Sequence, residues 1–145
     1  MQLGSLTLRT ISGGTYWIDG GTMFGVVPRP LWERNFPTDE QHRIPQDTNC
    51  LLVQTGDRNI LIDTGWCAAI TMQEGGIQPT DIDTVFFTRC HQDHTLGLPG
   101  LFFANSRRKQ SRPEAPELAI YGPLDLPLIV DGAKALLRSK QYPQC

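Results

Sequence analysis

Three side chains that can bind a metal ion lie within four consecutive positions of this 145-residue chain, at His91, Asp93 and His94. The sequence has one other histidine, His42. Imidazole nitrogens combined with a carboxylate oxygen suit Zn²⁺, and also Mn²⁺ or iron. The alternative interpretation is a surface loop whose side chains are simply solvated. We favour a metal site because of the elements that lead into these residues.

The metal-binding candidates directly follow a predicted buried strand. Residues 84–87 form an apolar run of the kind found in central strands. Residues 50–55 and 59–62 flank a turn and predict a hairpin, and its second strand ends at Asp63-Thr64-Gly65. Open α/β sheets usually bind ligands on the loops that follow their strands. The two strand ends therefore favour a functional site at this edge of the sheet.

The remaining pattern predicts a mixed α/β domain. Residues 6–11 and 16–19 read as two strands around a turn at 12–14, and the proline-rich stretch 20–47 reads as one long ordered loop. Helices are predicted at 66–73, 101–104 and 126–137, the last capped by Asp125, and another strand at 118–121. Alternating strands and helices indicate an α/β fold with a sheet at least partly covered by helices.

Composition narrows the function classes. Hydrophobic residues make up 39% and charged residues 19% of the chain, enough apolar material for one packed domain. The net charge of −2 gives no overall field that would favour DNA or an anionic membrane. No apolar run approaches the roughly 20 residues that span a bilayer, and no secretory signal is visible at the start. Four scattered cysteines form no CxxC pair, so we expect a cytoplasmic protein.

One basic segment could bind RNA or a phosphate-bearing substrate. It consists of Arg107, Arg108, Lys109 and Arg112. We interpret it as a solvated loop, and we keep RNA binding as the alternative because arginines bind phosphates well.

Two motifs of this chain resemble those of the metallo-β-lactamase-fold hydrolases. That family has a strand ending in (Ile/Leu)-Asp-Thr-Gly and a second strand ending in Thr-His-x-His-x-Asp-His, and this chain has matching segments at 61–65 and 85–94. The resemblance spans residues 12–137. Residues 21–28 and 31–34 are similar to the lactonase-like branch, whereas 96–101 and 120–123 are similar to the ribonuclease Z and phosphodiesterase branch. The branch stays open.

The resemblance implies a fold, a reaction class and residue roles. The fold would be the first half of an αββα metallo-β-lactamase-type sandwich. The family's site holds two metal ions, commonly zinc, and hydrolyses an ester, lactone or phosphodiester bond of a small molecule. His91 would belong to the first metal site, and Asp93 and His94 to the second. Asp93 would also be the catalytic residue that holds the attacking water, and Asp63 would brace the metal loop.

The sequence departs from the family pattern in two ways. Arg89 stands where the family has its first histidine, and a guanidinium has no lone pair for a cation. The family's further ligands, a His, an Asp and a His, have no counterpart after His94. We therefore expect residues 1–145 to be a single, truncated domain with impaired activity and a tendency to self-associate. The alternative is a non-catalytic remnant or interaction module that has lost the metal.

Overall fold

Strands and short helices alternate along the chain in this computed structural model, which describes residues 1–108 and 112–137. The strands are β1 (Gln2–Leu3), β2 (Leu6–Asp19), β3 (Arg43–Gln54), β4 (Asn59–Ile62), β5 (Thr84–Phe86) and β6 (Ala119–Tyr121). The helices are α1 (Gly20–Phe24), α2 (Arg29–Trp32), α3 (Ala68–Glu74), a 3₁₀ helix (Pro79–Asp81), α4 (Gln92–Thr95), α5 (Leu98–Asn105) and α6 (Leu126–Leu136). None of the described helices is both long enough and apolar enough to cross a membrane.

One six-stranded sheet follows the order of the sequence, β1-β2-β3-β4-β5-β6. Its first part is antiparallel, with Gln2 opposite Thr7 and Leu52 opposite Leu61. Its second part is parallel, because β4, β5 and β6 run in the same direction. The carboxyl ends of β4 and β5 therefore lie side by side, which confirms the α/β class and places Asp63 next to the residues that follow Phe86.

The core lies where apolar side chains of the central strands meet the helices. Leu52, Leu61 and Val85 are completely buried and belong to one cluster with Met72 of α3 and Leu101 of α5. Successive side chains of a strand point to opposite faces of the sheet.

The opposite face is more open. Phe86 follows Val85, and it stacks on Tyr121 of the neighbouring strand with ring centroids 4.9 Å apart. Both rings remain about half exposed. The helices therefore shield one face of the parallel strands better than the other.

The chain forms two compact units, residues 15–47 and the remainder. Within residues 15–47, the Trp32 ring is buried and stacks on Phe24 with ring centroids 5.1 Å apart. The prediction of a long loop at 20–47 is wrong, because this unit contains α1, α2 and the first half of β3. Its prolines did not prevent helix formation, since Pro30 lies in the first turn of α2, where its missing N–H is not needed.

The predicted turn at residues 12–14 is also wrong, since β2 continues through it. Gly13 serves close packing instead of a turn. Its carbonyl accepts hydrogen bonds from Trp66 N (2.7 Å) and Cys67 N (2.9 Å), and a Cβ atom at Gly13 would come within 2.8 Å of Gly65 Cα. The glycines of β2 thus let the strand run directly beside the Asp-Thr-Gly turn.

The last predicted helix is confirmed as α6, with Leu126 and Ala133 buried against the core. Asp125 occupies the predicted N-cap position, but its side chain makes no capping hydrogen bond. Pro127 has no N–H to donate to the Asp125 carboxylate, and Leu128 N donates to the Asp125 backbone carbonyl at 3.1 Å. The predicted hairpin at 50–62 is confirmed, whereas β1, the 3₁₀ helix and α4 were not predicted.

Candidate active site

Asp63 joins the ends of the two parallel strands. Its backbone N donates to Phe86 O at 2.8 Å. Its carboxylate accepts from Thr88 N at 2.9 Å and from Thr88 Oγ1 at 2.7 Å. The Asp63 φ of 59° lies in the left-handed region, which costs energy for most residues but is tolerated by aspartate. Because Asp63 is also buried, the turn depends on these bonds for its shape.

The backbone next to Asp63 fixes the position of α4. Thr64 N and Thr64 Oγ1 donate to His94 O at 2.8 Å and 2.9 Å. Gly97 N donates to Gly65 O at 2.6 Å. A Cβ atom on Gly97 would collide with the Thr64 carbonyl oxygen, so the approach requires a glycine. The Asp-Thr-Gly turn therefore holds the histidine-bearing helix against the sheet.

The His94 imidazole is oriented by the Asp63 carboxylate. His94 Nδ1 lies 2.8 Å from Asp63 Oδ2, and the His94 side chain is about one-fifth exposed. Arg89 Nε donates to His94 Nε2 at 2.8 Å. An arginine can only donate, so Nε2 carries the lone pair and the ring proton is on Nδ1. A carboxylate that fixes the tautomer of an imidazole in this way is the usual support of a metal-binding histidine.

Asp93 lies beside the same imidazole nitrogen. Its Oδ2 is 3.2 Å from His94 Nε2 and 3.2 Å from Arg89 Nη2. Partial burial raises the pKa of the Asp93 carboxyl, but the hydrogen bond from Arg89 and the positive charge of its guanidinium outweigh this effect. The pKa therefore lies below the ordinary value of 3.8, and Asp93 is an anion at neutral pH.

His91 stands apart from this group. It precedes α4, and its carbonyl accepts from His94 N and Thr95 Oγ1, each at 3.0 Å. Its imidazole is exposed and forms no hydrogen bond or ion pair with the described part of the chain. Across residues 1–108 and 112–137, no group of three or more His, Cys, Asp or Glu side chains is arranged to hold a metal ion. The three-ligand set of His91, Asp93 and His94 stays a prediction.

Two of the predicted ligands nevertheless fit a cation. His94 Nε2 and Asp93 Oδ2 both present lone pairs, and two acceptors only 3.2 Å apart repel each other unless a positive group lies between or beside them. Here the Arg89 guanidinium contacts both acceptors. It stands in for the cation that this donor pair suits, so His94 and Asp93 fit a divalent metal ion whereas Arg89 competes with one.

The contacts of Arg89 and Thr88 were missed by the sequence analysis. The sequence shows that Arg89 cannot bind a cation, but it gives no sign of the two hydrogen bonds that Arg89 donates to His94 and Asp93. Four positions separate Arg89 from Asp93, a spacing that often brings opposite charges together. Cys90 is partly buried and packs against the core.

One residue of the basic segment is buried, while Arg107 is exposed. Arg108 is buried and pairs with buried Asp83 at 2.5 Å, and it donates to the carbonyls of Thr80 and Ile82. The prediction of a solvated loop is therefore wrong for Arg108, because its guanidinium ties this segment to the 3₁₀ helix and the start of β5. Lys109 lies outside the described residues.

Comparisons with known proteins agree with this fold. A family model described as "Anti-Pycsar protein Apyc1" matches residues 43–133. A ribonuclease Z of Nanoarchaeum equitans is 33% identical over 86 residues, which cover 59% of this chain and 26% of the relative. The chain spans about a quarter of the length of the first curated relatives it matches.

Solved structures are also similar to this chain in fold and in sequence. A probable metal-dependent hydrolase from Staphylococcus aureus has a TM-score of 0.59 and 32% identity, covering 68% of this chain and 42% of that one. AidC, a dizinc quorum-quenching lactonase, has a TM-score of 0.55 and 26% identity, covering 67% of this chain and 37% of that one. These findings confirm the metallo-β-lactamase fold and its correspondence to the first part of the domain.

Proposed function

The chain belongs to the family described as anti-Pycsar protein Apyc1, and from this membership and the metallo-β-lactamase fold we propose that it contributes to a metal-dependent phosphodiester hydrolase. The observation that carries the proposal is the convergence of His94 Nε2 and Asp93 Oδ2 on one positive group, 3.2 Å apart. Asp63 supports this arrangement because its carboxylate contacts the other ring nitrogen of His94 and fixes the tautomer of the imidazole. This is the arrangement expected of two ligands to one cation.

His94 and Asp93 are the residues that would hold the ion, with His91 as a further ligand. When bound, a divalent ion would make a bound water nucleophilic near neutral pH and polarise the phosphoryl oxygen. The chain's own residues perform the remaining tasks. Asp63 keeps the His94 ring in place, and the Asp93 carboxylate orients the attacking water or accepts its proton.

A phosphodiester is the bond class we favour over an ester or lactone. The curated relatives matched over about half of this chain are ribonucleases Z, whose name states that they act on RNA. AidC, by its name, acts on lactones, so the lactone class remains the competitor to be tested.

Hydrolysis of model substrates tests the proposal. The chain is assayed with millimolar Zn²⁺ or Mn²⁺ on bis(p-nitrophenyl) phosphate and on an N-acyl homoserine lactone. We expect slow cleavage of the phosphodiester, faster than that of the lactone, and its loss on adding a chelator. Asp93→Asn should abolish the activity, because the amide is uncharged and a poor ligand, whereas Asp57→Asn in the distant β3–β4 turn should leave it unchanged.

The second candidate is a non-catalytic module, and the contacts of Arg89 favour it. The guanidinium satisfies both ligand side chains without any metal. If neither the wild type nor Arg89→His cleaves any substrate at millimolar metal concentrations, this second candidate replaces the first. Faster cleavage of the lactone than of the phosphodiester would instead contradict the substrate class.

A further inference from the structure

We propose that Arg89 is a guanidinium latch: it holds the lone pairs of His94 and Asp93 and must swing away before a divalent cation can bind. The inference rests on the proposed function, because it assumes that those two side chains are metal ligands. It goes further by assigning a role to the residue that departs from the family motif. In this role Arg89 sets how tightly the chain takes up its metal.

The latch contacts the same two atoms that a metal ion would need. Arg89 Nε donates to His94 Nε2 at 2.8 Å, and Arg89 Nη2 donates to Asp93 Oδ2 at 3.2 Å. An imidazole nitrogen cannot accept a hydrogen bond and ligate a metal with the same lone pair. Occupation by the guanidinium and by a cation are therefore mutually exclusive at His94.

Charge reinforces the competition. A guanidinium is a permanently positive group in proteins, so Arg89 brings a positive charge to the position that a cation requires. Two positive groups about 4 Å apart repel each other even at the effective dielectric of a protein surface. Metal binding thus requires the Arg89 side chain to leave the site.

The surroundings allow the side chain to move while the backbone stays in place. The Arg89 side chain is 54% exposed, so other rotamers can reach solvent. Neighbouring Thr88 is fixed by two hydrogen bonds to Asp63, and His94 is fixed through its carbonyl by Thr64. The latch can therefore open by rotation of one side chain, leaving His94 oriented for the metal.

A zinc titration of apo protein by calorimetry tests the latch. Arg89→Ala removes both competing hydrogen bonds and the charge, and we expect it to bind Zn²⁺ at least about tenfold more tightly than the wild type. A tenfold change corresponds to about 1.4 kcal/mol of lost competition. Arg58→Ala is the matched control: it removes the same charge from the exposed turn before β4, at the other end of that strand, and should leave the affinity unchanged.

Three outcomes separate the latch from the proposed function. If Arg89→Ala binds Zn²⁺ more tightly than the wild type and Arg89→Ala/His94→Ala loses this binding, the latch and the metal site are both supported. Equal affinities of wild type and Arg89→Ala, with both abolished by His94→Ala, overturn the latch and leave the metal site standing. If neither the wild type nor Arg89→Ala binds Zn²⁺, or if binding persists in His94→Ala, the metal site itself is overturned. Urea unfolding of each variant confirms that the protein under titration is folded.

Discussion

The turn at Asp63 should be the most sensitive position of the site for stability. Its carboxylate accepts three hydrogen bonds, two from Thr88 and one from the protonated Nδ1 of His94. At about 1 kcal/mol each, these bonds stabilise the fold by about 3 kcal/mol. The φ of 59° adds about 1 kcal/mol of strain for alanine, which tolerates this region less well than aspartate. Asp63→Ala should therefore lower the free energy of unfolding by about 4 kcal/mol.

Urea denaturation followed by tryptophan fluorescence measures this loss, and Asp63→Asn is the matched comparison. Asparagine tolerates the left-handed region and keeps one carbonyl oxygen for Thr88 N, so only the other two bonds are lost and the loss should be about 2 kcal/mol. A loss below about 1 kcal/mol for Asp63→Ala would refute the view that this carboxylate ties the two strand ends together. Equal losses for the two variants would refute the strain argument.

Two further predictions concern the elements that support the site. Arg108→Ala should lower the free energy of unfolding by about 3 kcal/mol, because the buried carboxylate of Asp83 then keeps only the longer ion pair with Arg112, at 3.5 Å. Recovery of part of this loss in Arg108→Leu/Asp83→Leu checks the cause, and a loss under about 1 kcal/mol would contradict the buried pair. Gly97→Ala should cost at least about 2 kcal/mol in the same assay, since the new methyl group meets the Thr64 carbonyl. Gly56→Ala, where a methyl group meets no atom within 4 Å, is its control, and equal effects of the two glycine substitutions would contradict the close approach.

The strands and the site-bearing turn could be predicted from local patterns. The hairpin before Asp63 and the strand before Thr88 follow from apolar runs separated by turn residues, and two parallel strands bring their carboxyl ends together. The meeting of Asp63 with residues 88–94 was therefore accessible from sequence. The same holds for α6, whose apolar residues recur at helical spacing.

Long-range packing explains what local patterns could not predict. Gly13 and its neighbour look like a turn, but they stay extended because the Asp-Thr-Gly turn packs directly against them. Arg108 looks like a surface residue, but it pairs with Asp83, 25 positions earlier. No local signal distinguishes a glycine used for close approach from one used for a turn, or a buried arginine from a solvated one.

The position of the Arg89 side chain could not be predicted from local patterns either. Its sequence position shows that a ligand is missing from the family motif, but the direction of a long side chain depends on the acceptors around it. Those acceptors, His94 Nε2 and Asp93 Oδ2, are brought together by Asp63 and by the backbone of Thr64. The competition between guanidinium and metal therefore emerges only once the site is assembled.

Anomalous X-ray diffraction from crystals soaked in Zn²⁺ locates the ion without reference to activity. We expect one strong peak bonded to His94 Nε2 and Asp93 Oδ2, with the Arg89 side chain turned towards solvent. Crystals of Arg89→Ala should show the same peak at a lower soaking concentration. A zinc peak bonded to other residues, with Arg89 still donating to His94, would refute both the metal site and the latch.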